Sequence, residues 1–145
     1  MSSGVFETYR FRTAGWAPQA LEILAGLKEI KDYSSSGIFT TTGQMLVGQG
    51  MRERFSEDLA RHSSSLSDTV KTLLKAIGGG QSDTLEIKST EGVILIHWFN
   101  DLPNFPDGSA PSLVVLLDSD INVGMRRIKV AMAIKKLTAV LVEAR

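Results

Sequence analysis

The sequence predicts an α+β domain, and three observations carry that expectation. β-prone runs flank Thr42-Gly43 and again Thr90-Glu91-Gly92, and a glycine between two such runs is a hairpin signal. Three other stretches repeat apolar residues at spacings of three and four, the period of a helix face. These helical stretches do not alternate one by one with the strands. The order is helix, two strands, long helix, three strands, helix, which suits an antiparallel sheet with segregated helices.

Each element has its own local reason. Residues 5 to 11, VFETYRF, put Val5, Tyr9 and Phe11 on one side of an extended strand with Glu7 as a mismatch. Residues 1–16 are therefore an N-terminal arm or extra strand, and 17–145 a single domain. Ala17-Pro18 opens the first helix, where proline is tolerated because its missing N–H would have no partner. Ala17, Ala20, Leu21, Leu24, Leu27 and Ile30 line one face for about four turns. KDYSSSG is a polar cluster that reads as a loop. GIFTTT and QMLVGQ then form the first hairpin.

The most regular pattern follows. Met51, Phe55, Leu59, His62, Leu66, Val70, Leu73 and Ile77 step by four or three, one helical face held for about seven turns. Gly78-Gly79-Gly80 stops it. TLEIKS and VILIHWF make the second hairpin, and NDLPNFPDGSA, residues 100 to 110, is a loop. SLVVLLD is apolar at nearly every position, so it is expected to be a central strand covered on both faces.

The last helix spans about Asn122 to Val142 and follows a strand and a short turn with Gly124. Strand, glycine turn and basic helix are the parts of an anion cradle. The cradle is incomplete, because a P-loop needs several glycines and a Gly-Lys-Ser/Thr ending. Asp118 and Asp120 also bring negative charge to the place. Capping by Asp120 or Asn122 is the expected role, with Gly124 allowing close packing on a neighbour. On a helical wheel Val123, Val130, Ile134, Leu137 and Leu141 form one stripe, and Met125, Ile128, Met132 and Ala139 a second. The cations diverge instead of converging on one groove. The helix is thus expected to have two apolar partners, the sheet and the first helix.

Composition narrows the function classes. The 145 residues suit one domain, and 43% hydrophobic content suffices for a core. Sixteen basic residues balance sixteen acidic ones, so no global attraction to nucleic acid or an anionic membrane is expected. There is no cysteine, which removes disulfides, thiolate metal sites and cysteine nucleophiles. The N-terminus lacks a signal-peptide core, and no run approaches membrane-spanning length. A cytoplasmic protein without membrane insertion is expected.

Catalytic constellations are missing as patterns. His62 lies on the apolar face of the long helix and reads as a partly buried packing histidine; His97 sits beside Trp98. Two histidines and no cysteine do not make a His-rich metal site. No serine stands in a Gly-x-Ser-x-Gly elbow. The expectation is no enzyme, no metal and no cofactor. The outer face of the long helix says more. Glu53, Glu57, Ala60, Ser64, Asp68, Lys71 and Lys75 lie there, and Ala60, Ser64 and Ser67 are small enough to admit a second helix. If TLEIKS is an edge strand, its open amides can pair with another chain.

Taken with the element order, two stretches carry a family resemblance. SSSGIFTTTGQMLVG resembles the first hairpin of the Roadblock family, which includes dynein light chains and bacterial and archaeal regulators of Ras-like GTPases. VILIHWF followed by SLVVLLDSDINVGMRRIKVAMAIKKL resembles that family's last strands and closing helix, with Asn122 and Gly124 at the joint. The resemblance covers roughly residues 17 to 142. It implies a five-stranded antiparallel sheet with the first and last helices on one face and the long helix on the other. It also implies a homodimer in which the third strand and middle helix meet their copies, through Leu85, Ile87, Ala60, Ser64 and Ser67. The implied role is a non-enzymatic platform for a small Ras-like GTPase, which some members stimulate. Arg52, Arg54, Arg61, Glu57 and Asp68 on the long helix are then candidate partner-binding residues. The N-terminal arm and the 100–110 loop exceed the compact family pattern. The alternatives are a small-molecule sensor with the long loop as lid, and an adaptor subunit of a motor or other complex.

Overall fold

Leu113 to Leu117 is the most continuously apolar run in the chain, and it becomes the strand with a neighbour on each side and a helix layer over each face. The computed structural model describes residues 16–40, 44–51, 53–78, 83–100, 102 and 110–143, except the side chains of 53–61, 63, 64 and 67. In chain order the elements are α1 (Ala17–Gly26) with a 3-10 turn at Leu27–Glu29, β1 (Tyr33–Phe39), β2 (Met45–Gln49) and α2 (Glu53–Ile77). They continue with β3 (Thr84–Ser89), β4 (Gly92–Trp98), β5 (Ser112–Leu117) and α3 (Val123–Val142). The strands form one five-stranded sheet in the order β2-β1-β5-β4-β3, every pair antiparallel.

Alternation along the strands divides the core in two. Leu113, Val115 and Leu117 of β5 and Val93 and Leu95 of β4 meet α1 and α3 on one face. Val114 of β5 and Ile96 and Trp98 of β4 face the other way, toward Leu66 and Val70 of α2. Two helices on one face and one long helix on the other is the expected arrangement. At the second hairpin Gly92 has φ +153, and a Cβ there would run into the Leu117 carbonyl oxygen, so only glycine lets β4 begin this close to β5.

Four local expectations need correction. The serine cluster is not a loop: Tyr33 to Gly37 belong to β1, where Ser35 and Ser36 are buried. Serine has little β-propensity, but pairing with β2 and β5 on both sides fixes the backbone. The Ser36 hydroxyl is satisfied by the Tyr33 hydroxyl at 2.7 Å. Second, among the described residues no helix packs against the other apolar stripe of α3. Met125, Ile128 and Met132 are exposed, because α1 packs beside the sheet against the first stripe, at Val130, Ala133, Leu137 and Leu141.

The remaining two concern the start of α3. Asn122 occupies the N-cap position without a side-chain cap bond, and Asp120 is engaged elsewhere. Gly124 is exposed, and a Cβ there would meet nothing within 4 Å, so this glycine makes no close approach. The Thr42-Gly43 turn and most of the 100–110 loop lie outside the described residues. Among the described residues no helix is long and apolar enough to cross a membrane.

Candidate functional site

Among the described residues β3 lies at the sheet edge, with β4 as its one strand neighbour. Its side chains alternate as a half-buried strand requires. Leu85 and Ile87 stand opposite Ile96 and Ile94 of β4 and share the α2 face with them. Leu85 is half-buried against the core under α2, whereas Ile87 is 38% exposed. Apolar side chains beside an open strand edge are the features that let a sheet continue into another chain.

α2 adds apolar surface to the same side of the sheet. Leu66 and Val70 pack on the core, but Leu73 and Ile77, one and two turns further on the same helical face, are 62% and 78% exposed. The reason is length. A helix of 25 residues runs roughly 37 Å at 1.5 Å per residue, against roughly 20 Å for a six-residue strand. Leu73 and Ile77 lie past the last residues of α2 that pack on the core, and Gly78 stops the helix with φ +66, a left-handed conformation suited to glycine. His62 is exposed rather than packed.

The opposite face of β3 is tied to α3 by charge. Arg126 is fully buried. Its guanidinium donates to Asp120 Oδ1 at 2.9 Å and to Glu86 Oε1 at 3.4 Å, and its Nε meets no acceptor among the described residues. Lys88 Nζ lies 3.3 Å from Asp120 Oδ2. The hydrogen bond from Arg126, with help from Lys88, holds the Asp120 carboxyl below the usual carboxylate range. Glu86 and Lys88 therefore bind the edge strand to the start of the last helix, while Leu85 and Ile87 remain on the other side. No sequence pattern announced this bracket, since Glu86 lies 40 residues from Arg126.

Of the partner-binding candidates on the long helix, Asp68 is exposed, and its backbone carbonyl accepts the Thr72 hydroxyl at 3.0 Å. Ala60, Ser64 and Ser67, and Arg54, Glu57 and Arg61, lie within the α2 backbone, with side chains outside the described residues; Arg52 is outside altogether. His97 Nδ1 lies 2.9 Å from Thr84 Oγ1 across β3 and β4 and its ring meets Phe99 edge-on at 4.8 Å, which makes it a cross-strand contact. Among the described residues no three His, Asp or Glu side chains gather to hold a metal.

No protein-family model matches the chain, and no curated protein matches it. Solved structures do. The chain is similar to MglB of Myxococcus xanthus, at 15% identity over 88% of this chain and 90% of that one, with a TM-score of 0.70. It is similar to the gliding protein MglB of Thermus thermophilus, at 13% identity over 90% and 94%, with a TM-score of 0.73. A Roadblock/LC7 domain from Streptomyces avermitilis aligns at 15% identity over 83% and 96%, with a TM-score of 0.69. Sheet order, the single long helix on one face and these alignments agree: the chain has the Roadblock fold.

Proposed function

We propose that this protein is a non-enzymatic, homodimeric scaffold that binds a small Ras-like GTPase and tunes its GTP hydrolysis. The observation that carries the reading is the open edge of β3, with Ile87 exposed beside it on a Roadblock fold. Antiparallel pairing of β3 with its copy satisfies the outward amides and carbonyls and doubles the sheet. The same two-fold axis brings the α2 helices together. Ala60, Ser64 and Ser67 then sit at the helix contact.

The GTPase half of the reading rests on the resemblance to Roadblock regulators. On it, the paired α2 helices form the platform, with Arg52, Arg54, Arg61, Glu57 and Asp68 around its rim. A scaffold of this kind needs no catalytic group of its own, since it orders those of its partner.

Light scattering tests the self-contact. Ile87→Asp sets two carboxylates face to face across the axis and is expected to halve the molar mass of the assembly. Affinity capture on the full chain, in GDP and in a non-hydrolysable GTP analogue, tests the partner. Retention of a small GTPase in one nucleotide state supports the reading. Capture of none in either state by a folded bait refutes it.

A further inference from the structure

Pairing with β4 fixes which backbone groups of β3 point outward. Asp83 O accepts from Trp98 N at 2.8 Å, and the β3–β4 register runs without a break from Thr84↔His97 to Ser89↔Gly92. Hydrogen bonding alternates along an antiparallel pair. Leu85, Ile87 and Ser89 therefore direct their N–H and C=O groups at β4, and Glu86 and Lys88 turn theirs outward. A copy that pairs antiparallel with this edge must set outward residues against outward residues. The two-fold axis then passes at the level of a residue, never midway between two.

Charge chooses among the registers this allows. With Glu86 at the axis, the two Glu86 carboxylates stand opposite each other; with Lys88 there, the two ammonium groups do. Like charges directly opposite destabilise a strand pair. With Leu85 at the axis, Glu86 faces Thr84 of the second copy and Lys88 passes beyond the start of the copy's strand. With Ile87 at the axis, each Glu86 faces Lys88 of the second copy. Two opposite-charge pairs form, one on each side of the axis. Ile87 then meets its own copy in a non-hydrogen-bonded pair, where side chains come closest.

Both members of the cross-strand pair are already anchored within their own chain. Glu86 Oε1 lies 3.4 Å from Arg126 Nη2, and Lys88 Nζ 3.3 Å from Asp120 Oδ2. The Glu86 side chain is 25% exposed and that of Lys88 50%, so each keeps surface for a second partner. In the register centred on Ile87, sign alternates along Arg126, Glu86, Lys88 of the second copy and Asp120 of the second copy, and symmetry makes this string twice. Ion pairs open to water add little affinity. Their effect here is on the choice of register, because the adjacent registers bring like charges together.

Resting on the homodimer proposed above, we infer that the alternation of Glu86 and Lys88 sets its register, with Ile87 on the two-fold axis.

The chain has no cysteine, so single cysteines in β3 report the register through disulfide formation. Leu85→Cys, Glu86→Cys, Ile87→Cys and Lys88→Cys are each treated with a mild oxidant and read on non-reducing gels, with light scattering for mass and circular dichroism for folding. Directly opposite residues lie about 4.5–5.5 Å apart, within reach of a disulfide. Diagonal neighbours lie about 7–8 Å apart, out of its reach. Ile87→Cys is expected to cross-link and the other three are not. If Glu86→Cys does not fold, a mixture of Leu85→Cys and Ile87→Cys reports the register centred on Glu86, in which those two residues face each other. Lys88→Glu is expected to raise the dissociation constant about tenfold; an unchanged constant overturns the role of charge. Cross-linking led by another of these positions overturns the register and leaves the self-contact standing. Absence of cross-links at all four positions, in a monomer or a dimer, removes β3 from the contact and overturns both.

Discussion

Arg126 is the largest fully buried side chain among the described residues, and an unaccompanied charge there would be untenable. Its two carboxylate partners keep some water, with Glu86 25% and Asp120 36% exposed, which limits the desolvation cost of the cluster. Arg126→Ala leaves a cavity and strands Glu86, and is expected to cost about 3 kcal/mol in chemical denaturation. Arg126→Met refills the volume and is expected to cost less. Equal losses in the two variants would mean that charge alone matters at this site. Asp120 supplies a pH signature. Its folded pKa is depressed, so its contribution is present above the unfolded value near 4 and is lost as pH falls through the lower folded value. The wild-type denaturation midpoint should therefore fall more steeply on acidification below about pH 4 than that of Asp120→Asn. Parallel profiles would remove Asp120 from the account. Tyr33 works in the other sense: burial raises its pKa, so its share is complete below the unfolded value and lost as pH rises through the folded one.

At the scale of elements, turn signals and periodicity located the five strands and three helices of the described residues, though not the start of β1, and periodicity overstated how far the apolar faces are covered. The row of α2 continues to Ile77 while cover ends near Val70, because helix length and strand length are set independently. The two rows of α3 behave alike in sequence and differently in the fold. Leu137 is fully buried between the sheet and α1, whereas Met132 stands in water. Leu137→Ala is expected to cost about 2–5 kcal/mol, and Met132→Ala to stay within about 0.5 kcal/mol in a dilute, dissociated sample. Comparable denaturation midpoints for the two variants would contradict the packing described for α3. The serine-rich part of β1 is the converse case. Nothing local in YSSSG asks for a strand; β5 pairs along it from Tyr33, and β2 joins on the other side from Ser36.

For the whole molecule, function reduces to which surfaces remain open after the two core layers have formed. The β3 edge and the exposed rows of α2 and α3 are such surfaces. Ser64→Lys, which places like charges across the proposed axis, is expected to raise the dissociation constant of the β3 contact in sedimentation analysis. An unchanged constant would move the contact away from α2. Element order, the antiparallel hairpins, the central position of 113–117 and the stop at Gly78 were legible along the chain, because turns and apolar periodicity are local properties. The sequence pointed to Leu85 and Ile87 only through the family resemblance, as interface residues of the third strand. Packing in three dimensions settled that the first helix takes one row of α3 and leaves the other exposed, that Arg126 is buried between Asp120 and Glu86, and that the serines belong to an interior strand. Those outcomes depend on residues tens of positions apart competing for the same faces of one sheet, and a pattern read along the chain carries no record of that competition.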